Sequence, residues 1–203
     1  MLTPPTSFEA ILDDIWMRLE CGSTDRRHAF HLPTIASVTP EGIPDARIVV
    51  LRGADRASRT IRCHTDLRAP KVAQLRANPH AAWTWYDPSE RVQVRAMSTV
   101  DVHQGDADPI ASDAWAKTAL WSRRCYLAPN APTEPCDTRS KNLPVDVESR
   151  PPTEQETMRG VDNFTVLRAT VTSFDWLHLA HDGNHRVRFV LRDGGFDATW
   201  LQP

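Results

Sequence analysis

The sequence predicts a mainly β fold, a largely antiparallel barrel with helices on its periphery, and three observations carry that expectation. Short β-branched and aromatic runs recur along the chain with turn residues between them. One amphipathic helix precedes the runs, and one short helix interrupts them. The chain has 203 residues, a formal net charge of −2 and 40% apolar residues, enough for a single domain spanning 1–203 with a sizeable core.

The first element is a helix. Thr6 and Glu9 form a capping-box pattern ahead of Phe8, Ile11, Leu12, Ile15, Trp16 and Leu19, which share one helical face, and Cys21-Gly22 ends it. Residues 33–38 then read as a strand, and Pro40-Glu41-Gly42 as a hairpin turn into the run Arg47-Ile48-Val49-Val50-Leu51-Arg52. Residues 60–64, 81–86 and 91–100 are further strands. Pro70 opens a short helix through Val72, Leu75 and Arg76 that stops at Asn78-Pro79. Ser112 is placed to cap another helix through Trp115 and Leu120.

Regularity fails over residues 127–152, rich in proline and polar side chains, which read as a mobile loop. The C-terminal third regains it. Phe164, Val166, Ala169, Val171 and Phe174 belong to a long strand ending near Leu179, Asp182-Gly183-Asn184 is a hairpin turn, and Arg186 and Arg188 share a face of the next strand. Asp193-Gly194-Gly195 turns the chain into a last strand over 196–201.

Charge placement singles out two segments. A strand buried on both faces should exclude guanidinium groups, yet the apolar run begins with Arg47 and ends with Arg52. Arg68 and Lys71 flank the start of the Pro70 helix, the positive end of its dipole, where a cation is unfavourable by roughly 0.3–1 kcal/mol and a bound anion would reverse the sign. The alternative reading makes Asp66 a local counter-charge and N-cap, with both cations solvated. Further on, Gln93 is a polar residue within the strand Val92-Gln93-Val94-Arg95.

The order Arg-x-Val-x-Leu-Arg, His64-Thr65, a basic helix start ending in Asn-Pro, an aromatic strand and Gln-Val-Arg resembles the pyridoxamine 5′-phosphate oxidase family and its FMN-binding split-barrel relatives. The likeness is strong over residues 30–100 and weaker at Arg186-Val187-Arg188-Phe189. It implies an FMN cofactor held by Arg47, Ile48, Val49, Val50, Leu51, Arg52, His64, Thr65, Arg68, Lys71, Gln93 and Arg188. Of these, Arg47, Lys71 and Arg68 fall at the flavin phosphate, and Gln93 and Arg188 near the ring. It also implies a homodimer and an oxidoreductase acting on a small molecule. A flavin-, nicotinamide- or F420-dependent reductase on the same barrel, or a non-catalytic flavin- or haem-binding protein, are the alternatives. The family's Ser-Arg before the phosphate lysine is replaced here by Ala69-Pro70, and its late substrate Arg and His fall on Asn184 and Arg186. FMN binding therefore carries over better than substrate identity.

Other constellations support bland readings. Cys21, Cys63, Cys125 and Cys136 are widely spaced, without a Cys-x-x-Cys pair, so neither zinc nor a disulfide framework is signalled. His178, His181 and His185 flank a turn without a metal-ligand pattern, and adjacent Cys63 and His64 point to opposite faces of a strand and cannot act as nucleophile and base. Trp83 and Trp85 share one strand face, with Tyr86 opposite, and read as core or dimer-interface residues. The cluster Trp121-Ser122-Arg123-Arg124-Cys125-Tyr126 is a candidate substrate-facing lip or a helix end with arginines at its negative pole. The near-neutral charge argues against a nucleic-acid partner, and the absence of a long apolar run argues for no membrane contact and a cytoplasmic location.

Overall fold

The computed structural model describes residues 6–203. It contains one nine-stranded antiparallel sheet. Helix α1, Phe8–Thr24, is capped by Ser7, whose hydroxyl accepts from the Ala10 amide at 3.2 Å; Thr6, the expected cap, lies one residue too early. The expected apolar face is the buried one. Ile11, Leu12, Ile15 and Leu19 each contribute about 1.5–3 kcal/mol on burial, and Trp16 meets the Phe174 ring edge-on at 5.3 Å.

Strands β1, Thr34–Val38, and β2, Pro44–Ile48, form a hairpin whose turn places Gly42 at φ 82°, a region open to glycine. The run from Arg47 to Arg52 is not one strand. It breaks at Val49-Val50, where the Val49 amide donates to the Pro33 carbonyl, and β3, Leu51–Asp55, starts afresh. Nor is it buried on both faces: Val49 and Leu51 enter the core, whereas Ile48 is 67% exposed. The break has an architectural reason. With β4 at Thr60–Asp66, β5 at His80–Asp87, β6 at Val92–Gln104 and β7 at Phe164–His178, the strand order is β2-β1-β5-β6-β7-β4-β3. Its two ends, β2 and β3, are joined by two residues. The sheet must therefore curl until its edges meet without a shared ladder, which is a split barrel.

The barrel interior holds Ile35, Leu51, Cys63, Trp83, Trp85, Val94, Phe174 and Trp176, with α1 closing one side. β7 serves two layers because Thr172 is an extra residue opposite β6, between the pairs Met97–Ser173 and Ser98–Val171. Phe174 and Trp176 face the interior after this bulge. Before it, Phe164 and Val166 turn outward under α3, Pro109–Lys117, to pack on Ala114 and Trp115. Asp108, not Ser112, caps α3 by accepting from the amides of Ile110 and Ala111, and the helix stops before α4, Leu120–Arg123. Short helices lie at residues 145–147 and at α5, Glu154–Thr157. β8, His185–Arg192, pairs with β7, and β9, Gly195–Leu201, pairs with β8.

Segment 127–152 is irregular apart from the 3-10 turn at Val145–Val147. It is tied down at several points: Val147 is fully buried, Arg124 donates to the Glu148 carbonyl at 2.7 Å, and Asn130 and Asn142 exchange two hydrogen bonds.

Candidate functional site

The basic helix start forms as expected. Helix α2, Pro70–Ala77, has Pro70 in its first turn and ends at Asn78, and Ala69 at the N-cap supplies no side-chain acceptor. Pro70 has no N–H and the Val72 amide donates to the Ala69 carbonyl at 2.9 Å, so the Lys71 amide is the first-turn donor left for another partner. Asp66 does not cap it. Lys71 projects from this end and donates to the Thr65 hydroxyl at 2.9 Å, yet among the described residues no carboxylate lies within ion-pair distance of it. Burial, and secondly the charge of Arg47, lower the pKa of the Lys71 ammonium.

Arg47 completes this cluster from β2. Its guanidinium donates to Ser37 Oγ at 2.6 Å and to Gln74 Oε1 at 3.2 Å, and it ion-pairs with the half-exposed Asp45. Gln74 in turn donates to Asp45 at 2.9 Å and accepts from Ser37 at 2.5 Å. Ser37, Gln74 and Asp45 were not among the expected site residues. A serine in an apolar strand and a glutamine on the buried face of a short helix are the signals that could have found them.

A second group gathers on the other side of β4. His64, Arg52 and Arg62 line a cavity of about 280 Å³ with Ala114, Lys117 and Ser122. Burial first, then Arg52 and Arg62, push the His64 pKa down to about 4, so the imidazole is neutral at pH 7. Its Nε2 is buried without a hydrogen-bond partner, and its ring meets Phe164 at 4.9 Å. Cys63 alternates into the core, where burial pushes its thiol up to about 12. The pair is therefore split between two faces, and the thiol is inert.

Other expected residues sit differently. Arg68 spends its guanidinium on Asp66, at 3.0 and 2.7 Å, and on the Ala128 carbonyl at 3.0 Å, so it ties the 127–152 segment to β4. Gln93 and Arg188 lie on the outward face of the sheet: Gln93 is opposite the exposed Tyr86, and Arg188 is opposite Asp175 on β7. The Lys71 cluster, by contrast, sits on the interior side with Thr65 and Ser37. Arg186 forks onto Asp175 at 3.0 Å. In the proposed lip, Arg123 is only 4% exposed and donates to the Thr118 and Ala116 carbonyls and to Glu154. It belongs to the structure of the helix end. Arg124 and Trp121 stack at 4.2 Å beside it. His178 and His185 are paired across β7 and β8, and the described residues hold no group of three metal-ligating side chains. No helix among them is long and apolar enough to cross a membrane.

A half-buried cation without a counter-ion, a hydroxyl beside it, a second guanidinium and an uncapped helix start together form a donor set suited to a phosphate monoester such as that of FMN.

Comparison with known proteins agrees with this chemistry. The family model described as "Pyridoxamine 5′-phosphate oxidase, FMN-binding domain" matches residues 13–104. Pyridoxine/pyridoxamine 5′-phosphate oxidase 2 of Arabidopsis thaliana is 29% identical over 146 residues, covering 67% of this chain and 73% of that protein. The corresponding enzyme of Gloeothece citriformis is 42% identical over 92 residues, 43% of this chain and 42% of its own length. The chain thus matches well under half of the bacterial relative. A crystal structure of a pyridoxamine 5′-phosphate oxidase-related, FMN-binding protein from Nostoc punctiforme superposes with a TM-score of 0.76 at 22% identity, covering 99% of this chain and all of that one. PhzG from Burkholderia lata, solved with tetrahydrophenazine-1-carboxylic acid, gives 0.69 at 14% identity over 100% and 98% of the chains. The split barrel, the phosphate-suited cluster and the family match agree: the chain resembles the pyridoxamine 5′-phosphate oxidase-related, FMN-binding split-barrel family, whose FMN-binding domain its residues 13–104 match.

Proposed function

We propose that this protein is an FMN-dependent oxidoreductase that works as a homodimer on a small molecule other than pyridoxamine 5′-phosphate. The observation that carries the reading is Lys71: a half-buried ammonium without a carboxylate partner, at an uncapped helix start beside Arg47 and Thr65. Lys71, through its ammonium and its backbone amide, and Arg47 hold the phosphate. Arg68, engaged with Asp66, acts at its edge. The chain from Ile48 to Leu51, free of ladder pairing at Val49-Val50, offers backbone groups to the cofactor, and Arg52 and the neutral His64 border the cavity next to it. FMN, when bound, supplies two-electron redox chemistry.

The dimer follows from the division of the candidate residues between two faces. Gln93 and Arg188 point away from the Lys71 cluster of their own chain, so they meet a flavin only where the outward face of one subunit covers the site of another. That face also exposes Ile48, Tyr86 and Met97, apolar area that a partner would bury. Substrate choice follows from Arg186. It is held by Asp175 and not free for a substrate phosphate, while Asn184 lies in the turn before β8.

Titration of flavin-free protein with FMN and with riboflavin tests the reading. FMN is expected to bind much more tightly, and Lys71→Ala or Arg47→Ala to weaken it by about 1.5–3 kcal/mol, ten- to a hundredfold, while leaving riboflavin unchanged. Equal affinities for the two flavins in the parent would sink the phosphate assignment. An oxygen-electrode assay with pyridoxamine 5′-phosphate is expected to stay below about 1 turnover per second, the lower end of ordinary enzymatic rates.

A further inference from the structure

On the face of β4 that carries His64, away from the Lys71 cluster, β4 and β7 place two arginines directly opposite each other: Arg62 pairs with Arg168 in the antiparallel ladder. Opposed like charges destabilise a sheet unless something anionic joins them. Among the described residues neither guanidinium has a carboxylate within ion-pair distance, and Arg62 Nε makes only a long 3.4 Å bond to the Arg52 carbonyl. Two carboxylates are nearby. Asp101, in register with Arg168 on β6, is exposed and outside ion-pair range, and Asp55 is engaged by the Ser58 hydroxyl at 2.6 Å and the Ala57 amide at 2.9 Å.

The same row continues to Gly53 on β3, in register with Arg62. A Cβ at this position would lie 2.3 Å from Arg62 Nε, so glycine is what lets the arginine lie across β3. Beside it opens a cavity of about 380 Å³ lined by Arg62, Arg168, Ser58, Thr60 and Gly53, with Ile110 of α3 as an apolar wall and the Asp55 carboxylate on one side, near Arg168 but outside ion-pair distance of both guanidinium groups. Ser58 donates to Asp55 and, with its proton spent there, accepts from the Thr60 hydroxyl at 2.8 Å.

We propose that this cavity is a second anion site, which binds a small phosphate monoester between Arg62 and Arg168. Two adjacent guanidinium forks match the several terminal oxygens of a phosphoryl dianion, where a monocarboxylate would occupy one of them. The Ile110 wall suits an organic body on the ester. Arg62 also borders the cavity of Arg52 and His64, but none of these residues belongs to the Lys71 cluster, so the site is separate from the flavin phosphate.

Calorimetric titration of the FMN-loaded protein with phenyl phosphate, and with phenol as the uncharged control, tests it. Saturable binding of one phenyl phosphate per chain below about 1 mM is expected, with none for phenol. Arg168→Gln should weaken it about tenfold or more while the FMN dissociation constant stays the same, and its unliganded melting temperature should hold or rise because the opposed charges are gone. Gly53→Ala provides a second variant, since the added methyl displaces Arg62 without removing charge, and it should also weaken phenyl phosphate. Absence of saturation in the parent, or unaltered binding in both variants, would overturn the site. So would competition between phenyl phosphate and FMN for flavin-free protein, which would place the ester in the flavin site. If the chain took up no FMN, the same titration on the flavin-free chain would still decide this proposal.

Discussion

Two cations drawn into the fold at helix ends, Arg123 and Lys71, finish in opposite conditions. At the junction of α3 and α4, Arg123 is almost wholly buried and fully served: it donates to two carbonyls at the negative end of α3, ion-pairs with Glu154 at 2.6 Å and lies 4.8 Å over the Trp115 ring. At the start of α2, Lys71 is half-buried at the positive end of a helix beside one hydroxyl and an arginine, while the nearby carboxylates Asp66 and Asp45 are paired with Arg68 and Arg47 and lie outside ion-pair distance of it. The first arrangement stabilises the chain as it stands. The second is unfavourable until an anion arrives, so burial of a charge marks a ligand site only when the protein leaves the charge unanswered.

The largest effect should come from the satisfied cluster. Arg123→Ala removes a charged donor from two carbonyls and leaves a void beside Trp115, and urea unfolding should register a loss of about 2–4 kcal/mol with FMN affinity unchanged. If stability held and flavin binding fell instead, the two clusters would have exchanged roles. Lys71 should behave in the opposite way. Lys71→Met keeps the stem and deletes the charge, so the flavin-free protein should unfold at equal or higher urea, while FMN binding weakens by about 1.5–3 kcal/mol. A Lys71→Met protein that lost stability without flavin would show that the ammonium is already answered.

His64 sharpens the comparison because it avoids an unanswered charge by staying neutral. Its folded pKa of about 4 lies below the unfolded value near 6.5, so the unfolded chain binds the extra proton between them. Its contribution to stability is whole above pH 6.5 and is lost as the pH falls toward 4, about 1–2 kcal/mol by pH 5. His64→Phe, which keeps the contact with Phe164, should flatten this part of the pH–stability curve; an unchanged slope would mean another group titrates there. The smallest effect belongs to Arg68. Because Asp66 already holds it, Arg68→Ala should weaken FMN by less than about 1 kcal/mol, yet speed proteolysis within 127–152 by releasing the Ala128 carbonyl.

Local chemistry made much of this legible in advance. The α1 face, the Gly42 turn, the Pro70-to-Asn78 helix and the outward placement of Tyr86 against Trp83 and Trp85 all follow from periodicity and from what proline and glycine permit. Where several caps were available, spacing chose wrongly: Ser7 displaced Thr6, and Asp108 with Pro109 after it displaced Ser112. Each outcome turned on which hydroxyl or carboxylate the tertiary fold left beside the free amides.

By itself, the sequence determined the run of strands and helices, the family likeness and the residue types suited to a phosphate. Only the tertiary structure decided where the strand from Arg47 to Arg52 breaks, since that depends on β2 and β3 closing opposite edges of one curled sheet. It alone decided which cations are answered. Arg68 and Lys71 are three residues apart and read alike in sequence, but Asp66 and the 127–152 segment reach only one of them. Charge is a property of a residue, whereas its compensation is a property of what the fold brings within a few ångströms of it.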